Sequence, residues 1–394
     1  MILAAVVSVF ILALVAPLLQ RLMPNRAGWV LSILPLALTV FFATKIPQIN
    51  AGQIINEYHA WVPTLGASLS FYLDGLSLIF SLLICGVGTL IVIYSGGYLY
   101  GHTLLGRFYT FMLFFMASML GVVLAGNLIS LFVFWELTSI SSYFLIGFDH
   151  QRKSARTAAL QALLVTGTGG LVLLAGMLLM GWASGSMEIS ELLTRADMIR
   201  GSVLYIPILI LVLVGAFTKS AQVPFHFWLP SAMEGPAPVS AFLHSVTMVK
   251  AGVYLLLRLS PVLGGTDIWQ LTLTLVGATT VVTGALMTLV QTDFKLLLAY
   301  STVNGLGTLV FLTGLGTPLS IKAAMIFLVV HALYKGSLFL SAGVVDHETG
   351  SRDLTRLKGL SRQMPLITIA AVLAAVSMAG LPPLLGFVGK ELIY

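Results

Sequence analysis

The sequence predicts an all-α polytopic membrane protein with about twelve transmembrane helices, arranged as inverted five-helix repeats with two discontinuous helices. Three observations carry this prediction. Of 394 residues, 58% are hydrophobic and 9% charged, against roughly 25% charged in soluble domains. The apolar residues are gathered into runs near the length of about 20 that crosses the hydrocarbon core. Two of these runs are broken by glycine or proline beside a lysine.

The runs lie near 2–19, 29–44, 71–95, 110–127, 128–148, 157–183, 202–220, 239–259, 271–290, 296–314, 320–345 and 364–390. The first begins at Met1 with no basic stretch and no small-residue cleavage site, so it reads as a true span rather than a removable signal peptide. The third opens at Asp74 in FYLDGLSL, a residue suited either to capping a helix or to ligating a cation. In 157–183 the glycines Gly167, Gly169 and Gly170 follow no strand, which excludes a dinucleotide loop and leaves close helix packing. The connections 45–70 and 184–201 are too short for folded domains. The second mixes Ile189, Leu192, Leu193 and Ile199 with Glu188, Glu191, Arg195 and Asp197, as a short interfacial helix would. Segment 346–363 is the most charged and reads as a solvated helix or loop.

The net charge of +6 follows from topology. Eleven Lys and Arg (21, 26, 107, 152, 153, 156, 295, 352, 356, 358 and 362) fall in loops on one side, and four (Lys45, Arg195, Arg200, Arg258) on the other. Positive loops stay cytoplasmic, which sets the N-terminus outside, with the spans among lipid; a bacterial-type inner cell membrane is the expected location. Without a basic face interleaved with aromatics, no nucleic-acid partner is expected. Cys85 is the lone cysteine, so no disulfide, cysteine zinc site or iron–sulfur cluster is built from this chain; neither a cofactor nor a resident metal is expected.

A charge at the bilayer centre costs about 2.5–3.5 kcal/mol or more and usually marks an ion path. Glu136, Lys219, Lys250 and Lys390 are such charges. Glu136 lies in FWELTSISS, where an ion pair with Lys219 is the least costly way to keep it; a neighbouring carboxylate favours the charged lysine while burial disfavours it, so making and breaking the pair would switch proton affinity. A static salt bridge is the alternative. His244 and Lys250 share a span but, at 3.6 residues per turn, sit about 240° apart, so a relay between them needs waters or a third group. His331 and Lys335, four apart, share a face. His226 and His347 lie near span ends. Pro224 follows Lys219 closely, and Pro382 and Pro383 precede Lys390. Proline removes a backbone donor, and paired broken helices point to the transport site of a repeat-built transporter.

From Lys219 to Arg258, KSAQVPFHFWLPSAMEGPAPVSAFLHSVTMVKAGVYLLLR resembles the signature of the antiporter-like membrane subunits shared by respiratory complex I and Mrp-type multisubunit Na⁺/H⁺ antiporters. The likeness continues through QTDFKLLLAYSTVNGLG, HALYKGSLFLSAG and GLPPLLGFVGKE. Lysine at both 250 and 390 makes it most similar to the large A subunit of Mrp antiporters. The resemblance implies a proton-translocating secondary transporter subunit rather than an enzyme, with Na⁺ and H⁺ as cargo and other membrane subunits as partners. It assigns the paired switch to Glu136 and Lys219, the central relay to His244 and Lys250, the terminal residue of the second half-channel to Lys390, and a connecting axis to His331, Lys335 and His347. His226 and Asp74 are candidates for a cation path. A pumping subunit of a redox complex, an NADH:quinone oxidoreductase or a membrane-bound hydrogenase, is the alternative. The expected division is a three-helix segment 1–109, a first repeat 110–259 and a second repeat 260–394. The second repeat lacks its closing helix at Tyr394, so a longer parent protein is expected.

Overall fold

The computed structural model describes residues 1–394, the side chain of Leu65 excepted. Helix accounts for 78% of the chain. The twelve predicted spans correspond to α1 (Ile2–Leu22), α2 (Ala27–Ala43), α3 (Gly75–Tyr98), α4 (Leu105–Leu124), α5 (Leu128–Ile146), α6 (Lys153–Ser184), α7 (Tyr205–Lys219), α8 (Met248–Leu263), α9 (Asp267–Leu289), α10 (Phe294–Leu315), α11 (Pro318–Thr349) and α12 (Pro365–Ala379). Ten stretches are long and apolar enough to cross a membrane, and α7 and α12 are shorter apolar helices of 15 residues each. Those two are the ones cut short by the breaks.

Helix starts follow their local chemistry. Asp74 caps α3 by accepting from Ser77 N–H, Asn127 caps α5, Thr266 caps α9, Asp293 caps α10, and Thr317 with Ser320 closes a capping box ahead of Pro318 on α11. Each satisfies backbone donors that a helix end leaves free.

The bundle is organised around α8. Residues Met248–Leu259 are buried throughout, because α8 packs on α4, α7 and α10 together. By contrast α9 touches mainly α10, and α12 mainly α11, leaving Leu271, Leu275, Leu366 and Ile369 on the outside. Apolar side chains on that face suit lipid.

Three elements differ from the sequence-based expectation. The connection 45–70 and the first residues of the predicted span 71–95 hold two small antiparallel pairs, β1 (Ile55–Glu57) with β4 (Phe71–Leu73) and β2 (Ala60–Val62) with β3 (Ala67–Ser68), so α3 starts only at Gly75. Segment 184–201 forms two short helices, Ile189–Thr194 and Ala196–Arg200, and its Ile189, Leu192 and Ile199 are fully buried against the bundle; it is a docked plug rather than an interfacial helix. The span 239–259 is not one regular helix: Ala237–Ala241 runs into a π-helical turn, Phe242–Val246, before α8 begins. Thr247 closes that turn by donating N–H (3.2 Å) and Oγ1–H (2.6 Å) to the Phe242 carbonyl. Such a turn adds a residue to the helical register.

Candidate ion-conducting core

The site begins where α7 stops. After Lys219 the chain turns through Ser220 and Ala221, the latter at φ +49°, and reaches Pro224. Backbone groups freed by the turn meet side chains. Trp228 Nε1 donates to the Thr218 carbonyl (2.9 Å), Gln222 Nε2 to the Ser220 carbonyl (2.9 Å), and Val223 N–H to Thr280 Oγ1 of α9 (3.0 Å). Irregular backbone at membrane depth requires such internal partners.

Lys219 is fully buried and its ammonium donates to the Trp135 carbonyl (3.1 Å) and Ser139 Oγ (2.7 Å) of α5, lying 5.1 Å from the Trp135 ring centroid. The expected ion pair with Glu136 is not formed: no N···O contact within 4.0 Å joins them. The Glu136 carboxylate instead turns toward α6, where Oε1 faces Gly170 and finds no hydrogen-bond partner among the described residues. A buried polar atom without a partner is uncommon and asks for a reason. Gly167, Gly169 and Gly170 do serve close packing, as expected, and specifically against Glu136 and Thr218.

His244 sits inside the π-helical turn, fully buried, with neither ring nitrogen hydrogen-bonded among the described residues and the Trp228 ring 6.2 Å away. Because of that turn, the ~240° separation from Lys250 derived for a uniform helix does not hold. Lys250 reaches across to α11 and donates to the Leu328 carbonyl (2.9 Å), one turn before His331. His331 is likewise buried without a partner on either nitrogen, against Gly305 of α10 and between Phe327 and Tyr334. Lys335 donates to Ser301 Oγ and to the Leu298 carbonyl (3.4 Å) of α10.

A lysine ammonium has three donors. Lys219 and Lys335 use two and Lys250 one, all on neutral acceptors. Sequence reasoning missed a fourth such residue, Lys295. Assigned to a loop, it lies in the first turn of α10, buried, and donates to the Gly235 carbonyl (3.0 Å). It floors a cavity of about 440 Å³ lined by His102, Asp149, Arg152, Glu234, Asp346 and Arg352, on the side where the positive loops gather. Its position two residues after Asp293, the end of the polar QTD, and inside the start of an apolar run was the available signal.

The remaining candidates lie apart from this row. Asp74, open in sequence between cap and cation ligand, is the cap, and its two carboxylate oxygens also accept from Arg258 at 2.6 and 2.8 Å. Arg258, counted among loop cations, is thus a buried residue of α8 held by Asp74, Ser77 and Tyr254. His347 is 57% exposed, beside Glu348 and with its ring 5.8 Å from that of Tyr98, tilted by 53°. His226 is half-buried in a single 3₁₀ turn after Pro224. Lys390 is half-buried; from the short helix Leu385–Glu391 it reaches back over the second break to the Ala379 carbonyl (2.8 Å), capping α12. Gly380 makes room for that side chain and takes φ +75°, a conformation glycine adopts without strain.

The row Glu136, Lys219, Lys250, His331 and Lys335 is thus contributed by α5, α7, α8 and α11, with each lysine held by serine hydroxyls or main-chain carbonyls. Groups that bind and release protons, each with unused hydrogen-bonding capacity, suit proton relay.

Known proteins match at both levels. A family model described as NADH:quinone oxidoreductase/Mrp antiporter, TM, matches residues 125–394, and one described as NADH-Ubiquinone oxidoreductase (complex I), chain 5 N-terminus, matches 61–109. The chain is 44% identical over 406 residues to the A subunit of a Na(+)/H(+) antiporter of Alkalihalophilus pseudofirmus, covering 99% of this chain and 50% of that one. It is 45% identical over 392 residues to the A/B subunit of a probable K(+)/H(+) antiporter of Rhizobium meliloti, covering 98% and 39%. The structure of an Mrp complex from Dietzia sp. superposes with a TM-score of 0.93 at 43% identity, covering all of this chain and 43% of that one. The chain spans about half the length of the curated relatives it matches, or less. A family model that takes in both breaks and every buried lysine of the row leaves one conclusion, that this chain belongs to the membrane family shared by NADH:quinone oxidoreductases and Mrp antiporters.

Proposed function

We propose that this chain is the proton-translocating portion of the large A subunit of an electrogenic multisubunit Na⁺/H⁺ antiporter of the cell membrane, with its N-terminus outside and other membrane subunits as partners. The observation that carries the reading is the set of buried lysines, Lys219, Lys250 and Lys335, each held by neutral acceptors with no counter-ion within 4.0 Å among the described residues. A stabilising role would place a carboxylate on each, as Asp74 is placed on Arg258. Protons pass by way of Lys219, His244, Lys250, His331 and Lys335, with Glu136 moving on and off Lys219 and the loops at Pro224 and Pro382–Pro383 yielding as charges change. Water reaches this row through the charged cavity above Lys295. The division into a three-helix segment, a first repeat from 110 to 259 and a second from 260 onward goes with this reading. No resident cofactor takes part; ions are cargo. With both oxygens of Asp74 committed to Arg258, the cation itself is given no route through that residue.

The test uses inside-out vesicles from an antiporter-deficient host expressing the complete operon, with the pH gradient followed by a fluorescent dye. Addition of Na⁺ collapses the gradient, and Lys219→Ala abolishes the response while the complex still assembles. K⁺ is added in a parallel run, since one relative of similar identity is named for K⁺. Unchanged Na⁺-driven flux in Lys219→Ala refutes the assigned role. A gradient that forms only with an electron donor, and ignores both cations, replaces the reading with a redox-driven pump.

A further inference from the structure

The Glu136 carboxylate rests in a notch of α6 that has no side chain to fill it. Gly167 and Gly170 are three residues apart and share a helix face; a Cβ at Gly170 would collide with Oε1 and come within 3.0 Å of Cδ, whereas one at Gly167 would stand 3.9 Å from Oε2, in ordinary contact. Oε1 has no partner in this position, although Lys219 is close by with an unused donor. Glu136 and Ser139 are also three apart on α5, and Ser139 holds the Lys219 ammonium at 2.7 Å. The carboxylate and the ammonium are therefore neighbours on one face, separated by a side-chain rotation.

From this we infer that Gly170 is a positioning residue of the switch: its missing side chain creates the resting place that Glu136 occupies when it is off Lys219. The inference rests on the proposed role of Glu136 as the moving partner of Lys219. A residue with any side chain at 170 removes the off position and holds the carboxylate against the lysine, so the switch keeps one state where it needs two. The neighbouring Gly169 differs in kind. A Cβ there meets Thr218 near its backbone, within 2.7 Å of Thr218 Cβ, so that glycine serves helix contact. The main collision at Gly170 involves the tip of a long flexible side chain and is relieved by a rotation of Glu136; the same Cβ would also stand 3.3 Å from Trp135 Cδ1, a contact that asks the ring to give by a few tenths of an ångström.

The experiment compares Gly170→Ala, Glu136→Asp, Glu136→Gln and the double variant Gly170→Ala with Glu136→Asp, in the full complex, by Na⁺-driven proton flux in vesicles and by subunit content after native purification. Gly170→Ala is expected to assemble and to lose about ten- to a hundredfold in antiport rate, the scale that a displacement of ~1 Å costs a positioned group. Shortening the side chain in the double variant restores flux to the level of Glu136→Asp alone. Should Gly170→Ala impair assembly, the same double variant restores it if the carboxylate is the cause. Wild-type flux in Gly170→Ala, or a double variant no better than Gly170→Ala, overturns the inference. Loss of flux in Glu136→Gln alongside either result leaves the proposed function standing, whereas full flux in Glu136→Gln overturns both.

Discussion

At the scale of single residues the core treats its charges in two ways. Arg258 is bound bidentately by Asp74 and further by Ser77 and Tyr254, while Lys219, Lys250 and Lys335 make do with hydroxyls and carbonyls. Removing one partner of a buried ion pair costs about 3–5 kcal/mol because the survivor is left uncompensated. Asp74→Ala should accordingly lower the thermal stability of the purified complex sharply and reduce its yield, read by a melting curve, before any effect on rate per assembled complex. Ser139→Ala should do the reverse. It removes the 2.7 Å acceptor of Lys219 while leaving the Trp135 carbonyl, so the complex forms normally and antiport slows. If Ser139→Ala transports at the wild-type rate, the hydroxyl plays no part in holding the lysine. Of these residues the sequence displayed the charges and the serines of FWELTSISS; it did not display Arg258 as buried or Glu136 as resting against Gly170 without a contact to Lys219. A local pattern ranks residues by polarity, but which acceptor a long side chain reaches depends on helices far away in sequence.

At the scale of elements the two breaks are built differently. The one after Lys219 is closed by side chains from outside the helix, Trp228 and Thr280 above all, and the one after Ala379 is closed by Lys390 itself. Trp228→Phe leaves the Thr218 carbonyl without its donor at the end of α7. A buried acceptor left unpaired costs about 1–3 kcal/mol. We expect assembled complex with reduced flux, measured in the same vesicles, and unaltered flux would mean that the break tolerates an open carbonyl. Both breaks were legible because proline and glycine act locally on the backbone. The π-helical turn at Phe242–Val246 was not. Its residues, FLHSV, contain no breaker, and the turn is settled by what packs on it: α3, α10 and α11 all touch this segment. The consequence for mechanism is direct, since His244 takes its orientation from that turn.

At the scale of the whole molecule, charge distribution across the bilayer predicts topology. Cys85 is buried in α3, so replacing it removes the native thiol and lets single cysteines be introduced as reporters. A cysteine at exposed Thr194 or Met198 should react with a membrane-impermeant maleimide added to intact cells, and one at Arg356 or Lys358 only after permeabilisation. The opposite pattern would invert the proposed orientation and turn the cavity above Lys295 toward the outside. The faces of α9 and α12 that carry Leu275 and Leu366 are bare in this chain.

By itself the sequence determined the membrane class, the number and approximate limits of the helices, the two broken spans and the positions of the costly charges. All of these follow from interactions within one segment: apolar length against bilayer thickness, proline against the helix ladder, and charge against hydrocarbon. Only the tertiary structure decided that Glu136 lies in the glycine notch of α6 instead of on Lys219, that Lys250 reaches α11, that Lys295 and Arg258 are interior, and that the helix around His244 is π-wound. These depend on which helices meet and how closely, and Gly170 shows the reason: a residue with no side chain of its own becomes a site only when another helix places a carboxylate against it.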